Sequence, residues 1–138
     1  MDRILGIDYG KKRVGVAVSD PLRIFASALE TVSATKIIEY IHTYIQKEKV
    51  VLFVVGYPKN LNNTPSEAAV FVDEFLKQLN KHFSEIPVIL EDERFTSKMA
   101  FQSLIDSGVK KMDRRDKSAL DKVSAAIILQ GYLDRING

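Results

Sequence analysis

The chain contains no cysteine. That absence removes disulfides, zinc–thiolate sites and a cysteine nucleophile at once, and it suits a reducing cytoplasm. Tryptophan is also missing, and aromatic residues are sparse among the basic ones, so stacking on nucleobases is not a signal here. Only two histidines are present, His42 and His82. Both fall in helical stretches with no acidic or histidine partner at ligand spacing, so neither is assigned a role. No apolar run approaches the length of a membrane span; Val50 to Val55 is strand-sized. The opening Met-Asp-Arg lacks a basic segment followed by an apolar one and does not predict a secretory signal. A net charge of +2 is too small to indicate nucleic acid by itself, so the placement of charge matters more than its sum.

What is present reads as one folded unit. The 138 residues, 46% hydrophobic and 28% charged, suffice for a core and argue against disorder, so a single domain over residues 1–138 is expected. Residues 3–8, Arg-Ile-Leu-Gly-Ile-Asp, predict a buried strand that ends in an acid. Tyr9 to Arg13 then form a tight basic turn, and residues 14–20 return as a second, antiparallel strand. Ile24 to Val32 predict a third strand after the Asp20-Pro21 turn, and Ser33 a helix cap. Ile37, Ile38, Ile41, Tyr44 and Ile45 repeat at the spacing of one helical face. Val50 to Val55, apolar on both faces, predict a central strand covered on two sides. Thr64-Pro65-Ser66-Glu67 has the features of a helix start, followed by a buried face of Ala68, Val72, Phe75, Leu76, Leu79 and Phe83. Pro87 to Leu90 predict a fifth strand running into Glu91-Asp92-Glu93-Arg94. A helix capped at Thr96 or Ser97 and stopped at Gly108 follows, and a last helix opens at Ser118. The order predicts an α/β layered fold with an antiparallel hairpin edge joined to a parallel portion.

In such sheets ligands collect at the carboxyl ends of the parallel strands. The first strand ends at Asp8, the fourth at Gly56-Tyr57-Pro58 and the fifth at Glu91-Asp92-Glu93. Asp121, placed in the first turn of the final helix by a Ser118 cap, can join them. Ser124, Ala125 and Ile128 share its face, small enough in part for close approach. An unpaired acid at a buried strand end is costly, so Asp8 calls for a metal, a metal-held phosphate or a basic side chain. Two carboxylates about 4 Å apart repel by roughly 4 kcal/mol at an effective dielectric near 20. Protonation or a bound cation relieves this, and an oxygen-only donor set suits Mg²⁺ or Mn²⁺. On helix statistics alone Asp121 reads equally well as an ordinary first-turn acid, and the 91–93 acids as a solvated strand end. Lys11, Lys12 and Arg13 border Asp8, and Lys110, Lys111, Arg114, Arg115 and Lys117 precede Asp121. Either basic cluster alone reads as well as a solvated loop; beside the acids they favour a polyanionic substrate.

Residues 4–20, Val54-Val-Gly-Tyr-Pro58, Asp92-Glu-Arg-Phe-Thr-Ser97 and residues 121–133 resemble the YqgF family of small bacterial proteins, in order and over nearly the whole chain. The resemblance implies a ribonuclease H-like α/β fold, with a mixed five-stranded sheet and helices on both faces. It implies a metal-dependent endonuclease acting on structured nucleic acid. The implied substrate is the 5′ end of pre-16S rRNA, with a Holliday junction as the alternative and a non-catalytic RNA- or ribosome-binding module as a reading of another class. Carried over residue by residue, the family's metal-binding triad falls on Asp8, Glu93 and Asp121, with Asp92 in reserve, and implies two Mg²⁺ or Mn²⁺ ions. Lys11, Lys12, Arg13, Arg94, Lys110, Lys111, Arg114 and Arg115 are the candidates for phosphate contact. Implied partners are precursor rRNA, branched DNA and ribosomal particles, without a membrane; no dimer surface is readable. Where family members often carry glycine after Pro58, this chain has Asn62-Asn63. A sugar-kinase or actin-like ATPase also has a strand ending in Asp-x-Gly, but needs two such domains.

Overall fold

The computed structural model describes residues 2–58, 68–92 and 117–138. Five strands form one sheet: β1 (Asp2–Tyr9), β2 (Arg13–Ser19), β3 (Ala26–Ser33), β4 (Lys49–Tyr57) and β5 (Val88–Asp92), in the order β3-β2-β1-β4-β5. The β3-β2-β1 half is antiparallel and the β1-β4-β5 half parallel, as the strand order predicts. The described helices are α1 (Ile37–Lys47), α2 (Ala69–His82) and α3 (Lys117–Asn137). The middle strand is β1 rather than β4, although β4 is interior and apolar on both faces as expected.

Strand alternation divides the core into two layers. Leu5, Ile7, Val14, Val16, Phe53 and Val55 face α1 and α2, where they meet Ile41, Val72, Phe75 and Leu79. Ile4, Ala17 and Val54 face the other way, onto Ala125, Ile128, Leu129 and Leu133 of α3. The sheet is therefore covered on both sides, and each layer is built from every second residue of the same strands. Gly6 lets α3 come close: a Cβ built there would lie 2.6 Å from Leu129 Cβ. Leu129 is fully buried in this layer. Leu129→Ala should therefore remove about 3 kcal/mol of stability, measurable by denaturant unfolding, because α3 is pinned along its length and cannot collapse into the space.

Several boundaries differ from the sequence expectation for local reasons. β3 begins at Ala26 rather than Ile24, because the Asp20 carboxylate takes the backbone N–H groups of Ile24 at 2.8 Å and Phe25 at 2.9 Å. Those bonds, led by Phe25, also lower the Asp20 pKa. Ser33 does not cap a helix; its hydroxyl meets that of Thr35 at 3.0 Å, and a short 3₁₀ turn precedes α1. In α2 the buried position is Ala69, with Ala68 exposed, while Val72, Phe75, Leu79 and Phe83 are buried as expected. The expected helix start at residues 64–67 and the helix over residues 96–108 lie outside the described residues.

Candidate active site

Asp8 is the next residue after Ile4 and Gly6 on the side of β1 that faces α3. It stands directly opposite Gly15 of β2 in the antiparallel register, so the two share a face. Gly15 has no side chain to occupy that face. A Cβ built on it would overlap the backbone carbonyl of Asp121 and lie 3.0 Å from the Lys122 nitrogen. The second turn of α3 thus rests directly on the Gly15 backbone, beside Asp8. Asp121 heads the row Asp121, Ala125, Leu129, Leu133, whose last three members are fully buried against the sheet. The acid appears where this row leaves the core, at the carboxyl end of β1.

Asp121 is the fifth residue of α3, two residues deeper than a Ser118 cap would place it, so the helix dipole gives it less support than expected. A side chain supplies charge instead. Arg13, two residues before Gly15 on the same face of β2, donates Nε–H to Asp121 Oδ2 at 2.9 Å. The pair is partly exposed, with side-chain exposures of 41% and 26%, which leaves both groups reachable from solvent. Asp8, Arg13 and Asp121 together carry two negative charges and one positive. Of the companions open to the acids from sequence, the described residues provide a basic side chain for Asp121.

The end of β5 separates two neighbouring acids. Glu91 lies opposite Gly56, faces α3 and forms an ion pair with Arg135. Asp92 lies opposite Tyr57, on the face that Val88 and Leu90 share, away from Asp8 and Asp121. This geometry weighs against the reserve position. Glu93, Arg94, Lys110, Lys111, Arg114 and Arg115 lie outside the described residues. Among the described residues no three acidic or imidazole groups gather as a metal site. Asp8 and Asp121 are nevertheless an all-oxygen pair on one face, which fits a hard divalent cation rather than zinc.

The basic turn splits its duties. Lys11 is exposed, with Nζ 5.3 Å from the centre of the Phe71 ring on α2. Lys12 is exposed while its carbonyl accepts the Ala34 N–H at 2.9 Å, which fixes the turn against the start of the 3₁₀ segment. Beside them Tyr9 stacks on Phe75 at 4.4 Å. Tyr57, at the end of β4, donates its hydroxyl to Asp73 at 3.0 Å; partial desolvation and that bond raise its pKa.

Sequence reasoning missed the role of Gly15, although glycine inside a strand is the usual mark of close backbone approach. It also missed the pairing of His42 with His82, whose rings meet edge-on at 5.6 Å across α1 and α2. That contact joins residues of two different helices, so local spacing carried no trace of it.

Comparison with known proteins identifies the fold and the family. Of solved structures, the Fowlpox virus resolvase bound to its substrate Holliday junction DNA is similar with a TM-score of 0.61 at 10% identity, covering 99% of each chain. Thermus thermophilus RuvC in complex with a Holliday junction substrate is similar with a TM-score of 0.54 at 18% identity, covering 99% of this chain and 96% of that one. At those identities the likeness is one of fold, ribonuclease H-like. A protein of Christiangramia forsetii named "Putative pre-16S rRNA nuclease" is 52% identical over 133 residues, 96% of this chain and 98% of that one. One of the same name from Flavobacterium psychrophilum is 44% identical over 135 residues, 98% of each chain. A family model described as "RuvX: Holliday junction resolvase" matches residues 2–135, and with relatives this similar over nearly their full length the chain belongs to the RuvX family of ribonuclease H-like nucleases.

Proposed function

We propose that this chain is a divalent-metal-dependent endonuclease that processes the 5′ end of precursor 16S rRNA. The observation that carries the reading is the convergence of Asp8 and Asp121 on one face at the carboxyl end of β1, held by the contact at Gly15. Relatives named for pre-16S rRNA cleavage favour RNA as the substrate. Asp8 and Asp121, with Glu93 just beyond β5, would hold Mg²⁺ or Mn²⁺, as two ions. Bound there, such a cation supplies neutralisation of charge on the phosphate and activation of water.

The chain's own residues do the rest. Asp8 and Asp121 set the anionic pole of the site, and α3, locked along its buried row, keeps their spacing. Lys11 and Lys12 border it from the exposed turn, and Arg94, Lys110, Lys111, Arg114 and Arg115 are assigned to the nucleic-acid backbone. Affinity resting on phosphate contacts falls steeply with salt. The reading places the protein in the cytoplasm, beside assembling ribosomal particles. Among the described residues no helix is long and apolar enough to cross a membrane.

The test is cleavage of a precursor 16S rRNA fragment in matched buffers. EDTA should abolish cleavage and excess Mg²⁺ or Mn²⁺ restore it. Salt-sensitive RNA binding without cleavage under any metal would instead identify a non-catalytic ribosome-binding module. A second reading, cleavage of four-way DNA junctions, is supported by the family description. It requires two sites on opposed strands, so junction cleavage should come with a dimer in solution.

A further inference from the structure

We propose that Arg13 is the exchangeable counter-ion of Asp121: its guanidinium occupies the carboxylate until a divalent cation takes the same oxygens. This rests on the metal-binding reading above and specifies how the site is kept in the absence of metal. Asp8 and Asp121 share a face at the end of β1, where like charges repel. Arg13 lies on that face, two residues along β2 from Gly15, and its Nε donates to Asp121 Oδ2 at 2.9 Å. The contact spans 108 positions of sequence and ties the hairpin to α3 at the point where the metal would bind. Among the described residues the pair is made through Nε, from a partly exposed arginine, a geometry that can be exchanged, unlike a buried bidentate pair.

Displacement has two consequences. Metal must compete with Arg13, so the apparent affinity is lowered by the fraction of molecules in which Asp121 is already paired. A released guanidinium then stands beside the site with its planar donors open to a phosphate. Arg13 is thus a positioning residue in the metal-free protein and a phosphate contact in the loaded one.

The experiment is a Mg²⁺ titration of the metal-free, ¹⁵N-labelled protein, following the Arg13 Nε–H signal and the backbone amides of Asp8 and Asp121. The Arg13 signal should move to that of a free guanidinium with the same Mg²⁺ dependence as the two amides. In Arg13→Gln, the amides should report Mg²⁺ binding about five-fold tighter, the fold-change of an exposed ion pair worth about 1 kcal/mol. An Arg13 signal unmoved at saturation, or weaker binding in Arg13→Gln, would overturn the proposal and make Arg13 a fixed support of Asp121. If the Asp8 and Asp121 amides do not respond to Mg²⁺ at all, the metal-binding reading fails first, in signals separate from those of Arg13, and the exchange fails with it.

Discussion

Asp8→Asn is expected to lower phosphodiester cleavage by about a hundred-fold or more while leaving the fold intact. The amide keeps the size and shape of the acid but removes the charge that attracts a cation, and loss of a few kcal/mol of transition-state stabilisation is a factor of that order. Stability should hold because Asp8 lies at the end of β1, outside both buried layers, and its register with Gly15 is made by the backbone. Parallel measurement of cleavage and thermal unfolding separates the effects. Activity within a few-fold of wild type would remove Asp8 from the chemistry.

The second large effect is expected at Gly15. Alanine there places its Cβ into the Asp121 carbonyl, and neither side can yield easily. β2 is held between β1 and β3, and α3 is fixed by Ala125, Leu129 and Leu133. Gly15→Ala should cost about 3 kcal/mol, or roughly 10 °C in melting temperature, and should reduce cleavage further by shifting Asp121 from Asp8. Gly131→Ala is the matched control. Its Cβ would come no closer than 3.8 Å to Glu91 Oε2, and the site is an exposed helical position. That substitution should be neutral or stabilising by up to about 1 kcal/mol, since alanine is the better helix former. Equal losses at the two glycines would refute the close approach as the organising contact.

Much of this arrangement was legible because it is periodic. Alternation in β1 and β2 fixes which residues reach each layer, and the same alternation carries Asp8 onto the α3 face. The small face of α3, Ser124 and Ala125, was readable as a close approach, and so was a glycine inside a strand, but the pairing of the two was not. Terminal residues were harder, since Asp20 competes for the N–H groups of Ile24 and Phe25 and delays β3, a local bond that hydrophobic pattern does not register. At the start of α2 the buried alanine was misplaced by one because Ala68 and Ala69 are chemically alike and only tertiary packing chooses between them, while the rest of the face kept its phase. The Arg13–Asp121 pair was illegible in principle: each residue looks like an ordinary surface charge until the fold brings them together. Asp92 and Glu93 are distinguished by strand parity, which the sequence offered as a condition and β5 supplies as far as Asp92.

The central claim is that Asp8 and Asp121, together with Glu93, hold the divalent metal of the site. A crystal structure of the protein soaked in Mn²⁺, with the ion located by its anomalous signal, tests it most directly. The account predicts an anomalous peak in contact with carboxylate oxygens of Asp8, Asp121 and Glu93, with Arg13 no longer on Asp121. A peak away from these acids, or one that leaves either Asp8 or Asp121 outside the coordination shell, would contradict it.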